Sequence, residues 1–228
     1  WTAMQLSSRL PKGALFHMGV SNTRRCWNMF QLPESVESAC NVGCCGIDGC
    51  VSTLVGASLV NPDRLCYVVV GDLTFFYDLN SLGNHHIGTN LRVMLVNNGR
   101  GTEFRLGIHH CNVFGDDADK YMAAAGHFGN KSPLLVKHYA EDLGFHYLSA
   151  TTKEEFMTAL SNFTNPQLSD HSMILEVFTD SKDESEALYL MSHIQSDAKG
   201  MVRSKLKDAV RNVAGEKGIN AIKKILKK

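Results

Sequence analysis

The sequence predicts an α/β protein, a three-layer sandwich whose mostly parallel sheet has about six strands. Three apolar runs rich in β-branched residues predict the clearest strands, at 65–70 (LCYVVV), 91–96 (LRVMLV) and 173–178 (MILEVF). Such runs lack the alternation of a half-exposed strand and are typical of parallel strands buried on both faces. Segments with helical periodicity separate them, and this alternation indicates strand–helix–strand units.

Weaker patterns complete the predicted sandwich. Three shorter runs predict further strands at 14–18, 38–42 and 146–150, which brings the sheet to six strands. Helical periodicity predicts helices at 23–30, 49–59, 73–83, 118–125, 132–143, 153–162 and 182–194. Residues 99–115 follow neither period and come directly after a predicted strand. Because open parallel sheets bind ligands beyond the carboxyl ends of their strands, this segment is predicted to be a binding loop.

The predicted domain covers residues 1–195, and a basic amphipathic helical tail covers residues 196–228. From Lys199 onward, ten Lys or Arg residues stand against Asp208 and Glu216, and apolar residues recur at helical spacing. Such a tail packs on its own protein or lies on an anionic surface. The rest of the chain is acidic overall, which argues against nucleic acid as a partner. No run approaches the roughly 18 apolar residues of a membrane span.

Cysteine usage predicts a reducing, cytoplasmic location. The seven cysteines form an odd number without regular spacing, so a disulfide framework is not expected. Cys40, Cys44, Cys45 and Cys50 cluster, and a zinc site is one interpretation. Their spacing lacks the paired pattern of zinc ligands, and the intervening glycines favour a tight turn instead. The sequence begins at Trp1 rather than at a methionine, which favours an excised fragment or a processed product.

Polar residues follow two of the clearest predicted strands. Gly71 and Asp72 follow the run at 65–70, and Asn97 and Asn98 follow the run at 91–96. A glycine permits close approach of a ligand, and backbone N–H groups at a strand-to-helix turn favour an anion. Carboxylate and amide oxygens suit Mg²⁺, which proteins usually hold together with phosphate oxygens. The pattern predicts a site for a diphosphate and its metal, with a simple helix N-cap as the alternative for Asp72.

These motifs resemble those of the thiamine-diphosphate enzyme superfamily, over residues 19–104. Within it the resemblance is to the menaquinone-pathway 2-succinyl-5-enolpyruvyl-6-hydroxy-3-cyclohexene-1-carboxylate synthase family. That family's GIDG-x-x-ST helix start is matched at 46–53, its GDLT-x-x-x-DLN element at 71–80, and its Asn-Asn pair at 97–98. Three matches in order are far more specific than any one of them. The resemblance implies the C-terminal pyrophosphate-binding domain of such an enzyme.

The resemblance also implies roles for particular residues. Asp72, the side chain of Asn98 and the carbonyl of Arg100 would ligate Mg²⁺. Ile47 would lie under the cofactor and enforce its bent shape. The residues implied to bind thiamine diphosphate are Thr23, Gly46, Ile47, Gly71, Asp72, Leu73, Thr74 and Asn98.

Thiamine diphosphate with Mg²⁺ implies an enzyme that decarboxylates a small-molecule 2-oxo acid or ligates it to a second carbonyl compound. In this superfamily the glutamate that activates the cofactor comes from a pyrimidine-binding domain, which here would be a preceding part of the protein or a separate chain. The resemblance therefore implies half a site in this chain, a homo-oligomer in the full-length protein, and no activity of the isolated chain. Two alternatives are a non-catalytic regulatory or assembly module and the separate subunit of a two-component enzyme.

The sequence departs from the synthase pattern at three positions. Trp27 and Val42 stand where the synthases place substrate-binding arginines, and Glu103 replaces an apolar residue. Because the loss of two guanidinium groups weakens carboxylate recognition, the synthases' own reaction is not expected. Arg100 and Arg105 are candidates for substitute charges.

Three further residues of the predicted loop are candidates for chemistry. His109 and His110 are candidates for proton transfer, although loops also carry histidines without such a role. Cys111 is a weaker candidate for a nucleophile because no cationic setting is evident to activate its thiol.

Overall fold

A computed structural model of the chain describes residues 1–107, 109–122, 126–129 and 131–194. These residues form an α/β fold built on one six-stranded sheet, as predicted, and the sheet is parallel throughout rather than mostly parallel. The tail predicted at 196–228 lies outside the described residues. The strands are β1 (Leu15–Met18), β2 (Glu37–Cys40), β3 (Cys66–Gly71), β4 (Leu91–Asn97), β5 (His146–Ala150) and β6 (Met173–Phe178).

Within the described ranges, eight α-helices connect and flank these strands. They are α1 (Thr2–Ser7), α2 (Asn22–Trp27), α3 (Cys50–Val60), α4 (Asp72–Tyr77), α5 (Ala118–Tyr121), α6 (Leu135–Asp142), α7 (Lys153–Phe163) and α8 (Ser181–His193).

The predicted helices at 49–59, 153–162 and 182–194 are confirmed to within a residue or two. The single helix predicted at 73–83 is instead α4 followed by a 3₁₀ turn at Leu79–Gly83. The break falls at Asp78, whose backbone leaves the helical region.

Alternate residues of the central strands point to opposite faces of the sheet. In β3, Tyr67 and Val69 pack with α1, α2 and α7, whereas Cys66, Val68 and Val70 pack with α3, α4 and α6. All five side chains are fully buried. Because both faces are covered, the strand has no polar face, and its sequence is a continuous apolar run.

Local signals define several helix starts. Thr152 and Glu155 form a reciprocal capping box at the start of α7. Asp180 accepts hydrogen bonds from the backbone N–H groups of Lys182 and Asp183 at the start of α8. Gly49 precedes α3 with a φ of 80°, a left-handed conformation that favours glycine.

The strand order is β2-β1-β3-β4-β6-β5. The chain passes from β1 outward to β2 and then crosses back to β3 on the other side of β1. The connections after β1 and β3 therefore diverge, and they leave a crevice at the carboxyl ends of these two strands, the usual ligand position in such sheets. Among the described residues, no helix is long and apolar enough to span a membrane.

Candidate active site

A cleft of about 1010 Å³ opens at this end of the sheet. Segments that follow β1, β2, β3, β4 and β6 all contribute to its walls. The segment after β3 carries most of the residues predicted from the motif: Gly71, Asp72, Leu73 and Thr74 line the cleft. Asn98 lines the cleft, and the predicted binding loop contributes residues 100–104 from its first part.

Gly71 leaves open space at the end of β3. Its φ of −76° is one that any residue adopts, so backbone strain does not explain the glycine. A Cβ atom built on Gly71 meets no protein atom within 4 Å. The absence of a side chain at this residue therefore opens the cleft to a ligand that approaches the backbone closely.

Asp72 begins α4 and is almost completely buried, at 1% exposure. Its Oδ2 atom lies 2.6 Å from Nε2 of His127. The other ring nitrogen of His127, Nδ1, accepts a hydrogen bond of 2.9 Å from the backbone N–H of Gly129. In the neutral ring this acceptor places the proton on Nε2, so His127 donates to the carboxylate. The contact occupies one of the two oxygens of Asp72.

Asn97 is the last residue of β4, and Asn98 follows it. The side-chain amide of each asparagine both donates and accepts a hydrogen bond. Asn97 donates from Nδ2 to Glu176 at 2.7 Å, and its Oδ1 accepts from the N–H of Gly99 at 3.3 Å. Asn98 donates from Nδ2 to Glu184 at 2.7 Å, and its Oδ1 accepts from the N–H of Arg100 at 3.1 Å. Asn97 is buried, whereas Asn98 lines the cleft.

The two carboxylates that hold these asparagines come from distant parts of the chain. Glu176 lies in β6 and also accepts a hydrogen bond of 2.6 Å from the hydroxyl of Tyr147. Burial raises its pKa, and the hydrogen bonds from Tyr147 and Asn97 oppose this shift. Glu184 lies in α8, where burial likewise raises its pKa and hydrogen bonds from Thr179 and Asn98 oppose the shift.

The remaining residues predicted to bind the cofactor come from the segments after β1 and β2. Thr23, in α2, and Ile47 line the cleft, whereas Gly46 does not. A Cβ atom at Gly46 would lie 2.4 Å from Oδ1 of Asp48, so any larger residue would require the exposed side chain of Asp48 to move. Asp78, another motif residue, accepts a hydrogen bond of 2.7 Å from the N–H of Ser52 and thereby joins the matched motif elements at 46–53 and 71–80.

A charged cluster joins two walls of the cleft. Arg25 of α2 forms a two-pronged ion pair with Glu103, with one nitrogen–oxygen distance of 2.9 Å, and Ser21 donates a hydrogen bond to the same carboxylate. Asn22 accepts a further hydrogen bond from Arg25 at 3.0 Å. Burial alone would raise the pKa of Glu103, but the hydrogen bonds from Arg25 and Ser21 outweigh it and hold that pKa below its ordinary value.

The expectation that Arg100 and Arg105 replace the missing substrate-binding arginines is not supported by their contacts. Nη1 of Arg100 lies 3.2 Å from Asp119. Arg105 pairs with the same aspartate at 2.8 Å and with Asp116 at 3.1 Å. Both guanidinium groups are thus paired with carboxylates of the segment that follows the predicted loop.

The histidines predicted as proton carriers do not line the cleft. His109 accepts a hydrogen bond from the N–H of Cys111 and packs edge-on against Phe104, with 5.1 Å between ring centroids. His127 contacts the candidate metal ligand instead, from a segment with no recognisable motif. Glu184 likewise lies 86 residues from its partner Asn98, so nothing in the sequence near either residue predicts the contact.

The described residues contain no group of three or more His, Cys, Asp or Glu side chains that could hold a metal. None of the clustered cysteines belongs to such a group, and none of the seven cysteines forms a disulfide. The candidate magnesium site is of a different kind, because its donors are one carboxylate, one amide oxygen and one backbone carbonyl.

No family model matches the sequence. Individual relatives do match it. The synthase of Bacteroides fragilis named 2-succinyl-5-enolpyruvyl-6-hydroxy-3-cyclohexene-1-carboxylate synthase is 34% identical over 183 residues, which are 80% of this chain and 31% of the synthase. Proteins of the same name from Phocaeicola vulgatus and Christiangramia forsetii are 34% and 35% identical over 187 residues, covering 81% and 82% of this chain and 31% and 30% of each relative. The chain is a homologue of these synthases.

The resemblance inferred from the motifs is thereby confirmed. The aligned region spans about a third of the length of these synthases, so it corresponds to part of the relatives and not to the whole. The matched length of 183 to 187 residues is large enough that the match must include most of the described residues.

Proposed function

We propose that this chain is the pyrophosphate-binding part of a thiamine-diphosphate-dependent enzyme that decarboxylates or ligates a 2-oxo acid. The observation that carries the proposal is the meeting of two sequence-distant elements in one cleft. Gly71 and Asp72 at the end of β3 line the same cleft as Asn98 and Arg100 after the adjacent strand β4. The homology to the synthases independently supports a cofactor site of this kind.

The residues in the cleft fit thiamine diphosphate and Mg²⁺. The open space at Gly71 admits a diphosphate close to the backbone. Asp72, Asn98 and the carbonyl of Arg100 offer hard oxygen donors, the type that Mg²⁺ selects, and diphosphate oxygens and water would complete its octahedron. Asn98 Oδ1 accepts only one described hydrogen bond, and an amide oxygen has two lone pairs.

Each of these residues has a separate task in the proposed site. Asp72 supplies the negative charge of the metal site, and its burial keeps competing water away. Leu73 and Thr74 offer backbone N–H groups to the diphosphate, because Gly71, the residue before α4, has no side chain to cap them. Ile47 provides an apolar surface under the cofactor, and Thr23 offers a hydroxyl at the wall opposite. When bound, thiamine diphosphate supplies a carbanion-stabilising thiazolium ring.

The substrate is proposed to differ from that of the homologous synthases. Trp27, at one of the arginine positions implied by the resemblance, is 4% exposed and packs in the apolar core. Val42, at the other, lines the cleft without charge. Arg25 is already paired with Glu103, so Arg24 and Lys153 remain as the cleft-lining cations without a described ion pair. Because the two arginines of the synthase pattern are missing, a 2-oxo acid with fewer carboxylates suits such a cleft better than the substrates of the synthases.

The proposed site needs a second half. Activation of the bound cofactor would need a carboxylate that can exchange a proton at its aminopyrimidine ring. Glu103 lies on the cleft wall, but Arg25 and Ser21 bind its carboxylate and hold its pKa below the ordinary value, so it stays ionised. We therefore propose that a pyrimidine-binding domain, from the same protein or from another chain in an oligomer, supplies this group.

Calorimetric titration of the 228-residue chain with thiamine diphosphate tests the proposal. We expect binding with Mg²⁺ and none with excess chelator, because the metal bridges the protein and the diphosphate. Asp72→Asn keeps the size of the side chain but removes the anionic ligand, so it should abolish metal-dependent binding without unfolding the chain. Equal binding in chelator, or normal binding by Asp72→Asn, would refute the metal assignment.

A turnover assay tests the missing-half argument. We expect the isolated chain to consume no 2-oxo acid, and activity to appear only when a pyrimidine-binding domain is present. Turnover by the isolated chain that is lost in Glu103→Gln would show that Glu103 is the activating carboxylate.

A further inference from the structure

Glu184 contacts the candidate metal ligand Asn98 from the first turn of α8. Its Oε2 atom accepts a hydrogen bond of 2.7 Å from Nδ2 of Asn98. Its Oε1 atom accepts a hydrogen bond from the hydroxyl of Thr179, the residue that follows β6. The backbone N–H of Thr179 donates to the carbonyl of Asn97 at 3.0 Å, so the end of β6 is tied to the end of β4. Glu184 is thus held in place by a residue anchored to the sheet.

The contacts of Asn98 define which end of its amide faces which neighbour. Nδ2 donates to the carboxylate of Glu184, and Oδ1 accepts from the N–H of Arg100. Rotation of the amide by 180° would place Oδ1 against the carboxylate and the amide N–H groups against the N–H of Arg100. Both new contacts would be repulsive, so the observed orientation is the stable one.

From this geometry we infer that Glu184 is a positioning residue for the metal site, which orients the oxygen of Asn98 toward the cation. The inference rests on the proposed function, because it assumes that Asn98 is a ligand. Carboxylates that hold the far side of a metal ligand raise metal affinity by fixing the orientation of the ligand. Without Glu184, only the N–H of Arg100 would hold the amide of Asn98 in this orientation, so the NH₂ group would turn toward the cation more readily.

Asn97 shows the same arrangement in a place where no ligand is involved. It also donates to a glutamate and accepts from the backbone N–H two residues ahead. Its partner Glu176 is 1% exposed inside the sheet, so that pair belongs to the core. The pair of Asn98 and Glu184 differs because both residues line the cleft.

Titration of the full 228-residue chain with Mn²⁺ in the presence of thiamine diphosphate tests the inference, with free Mn²⁺ measured by electron paramagnetic resonance. We expect Glu184→Ala to weaken Mn²⁺ affinity roughly 10- to 100-fold, the usual effect of losing a residue that orients a ligand. Glu184→Gln should stay within about threefold of the unchanged chain, since its amide oxygen still accepts from Asn98. Glu186→Ala, an exposed position on the same helix, is the matched control and should have no effect.

The outcomes separate this inference from the proposed function. Equal loss in Glu184→Gln and Glu184→Ala would overturn it, since charge or direct ligation would then matter more than orientation. Loss in Asn98→Ala without loss in Glu184→Ala would overturn the inference alone. Absence of Mn²⁺ binding in the unchanged chain would overturn the proposed function and the inference with it. Thermal unfolding without metal should be nearly equal for both Glu184 variants, and a large drop in Glu184→Ala alone would assign Glu184 to the fold.

Discussion

Gly71→Ala separates ligand binding at the cleft from folding. The new Cβ meets no protein atom within 4 Å, and the φ of −76° suits alanine. The loss of a glycine before the helix costs a few tenths to about 1 kcal/mol, and the reduced entropy of the unfolded chain returns about 0.4–1 kcal/mol. The free energy of unfolding should therefore change by less than about 1 kcal/mol, or roughly 2–4 °C in the melting temperature.

The same methyl group would occupy space that the diphosphate needs. Forcing an extra methyl group into a filled site costs about 1–3 kcal/mol, which corresponds to a roughly 5- to 150-fold loss of affinity. Calorimetry with thiamine diphosphate and Mg²⁺ measures this loss, and thermal unfolding without ligand measures stability. Unchanged affinity in Gly71→Ala would refute the placement of the diphosphate over this residue.

Gly56→Ala is the matched control. Gly56 lies inside α3, away from the cleft, and its added Cβ also meets no atom within 4 Å. This substitution should stabilise the helix by about 0.5–1 kcal/mol and leave cofactor affinity unchanged. If both alanine variants lost affinity equally, the effect would not come from steric exclusion at Gly71.

Three further predictions concern stability. Because the pKa of Glu103 is lowered in the folded state, its carboxylate stabilises the fold above the ordinary pKa of 4.5, and this stabilisation is lost as the pH falls through the lower folded-state pKa. The difference in melting temperature between the unchanged chain and Glu103→Gln should therefore narrow on acidification below about pH 4.5. A difference that stays constant would contradict this prediction. Because burial raises the pKa of Glu176 in the folded state, ionisation of Glu176 destabilises the fold as the pH rises from 4.5 through that raised pKa. Glu176→Gln should therefore gain stability relative to the unchanged chain between pH 4 and pH 8. A relative loss of stability would show that the charge of Glu176 is favourable. Tyr67→Phe removes the 3.1 Å hydrogen bond to the carbonyl of Phe163 and should cost about 0.5–1.5 kcal/mol in chemical denaturation, whereas a neutral result would mean that water replaces the hydroxyl.

The centre of the sheet could be predicted from the sequence because β3, β4 and β6 are buried on both faces. Each central strand is an apolar run that stands out against amphipathic helices. Helix α1 has no comparable signal: it is only six residues long, and the burial of Ala3 and Leu6 against the core stabilises it. Helices this short are marginal by themselves, so their existence depends on tertiary contacts that local patterns do not contain.

Some residues of the candidate site could likewise be predicted from the sequence, and others could not. Gly71, Asp72 and Asn98 were found because they lie in a motif at predicted strand ends, and the structure brings all three to one cleft. His127 contacts Asp72 from 55 residues away, and Glu184 reaches the cleft and contacts Asn98 from 86 residues away. Single residues at such separations leave no periodic or spacing signal, so only the three-dimensional structure reveals them.

The most direct test of the central claim is a crystal structure of the chain with thiamine diphosphate and Mn²⁺, in which anomalous scattering locates the metal. We expect one peak bonded to the Asp72 carboxylate, Oδ1 of Asn98 and the carbonyl of Arg100, at distances near the roughly 2.0–2.1 Å typical of Mg²⁺. The diphosphate should lie over Gly71. A metal peak away from Asp72, or a diphosphate bound outside this cleft, would contradict the account.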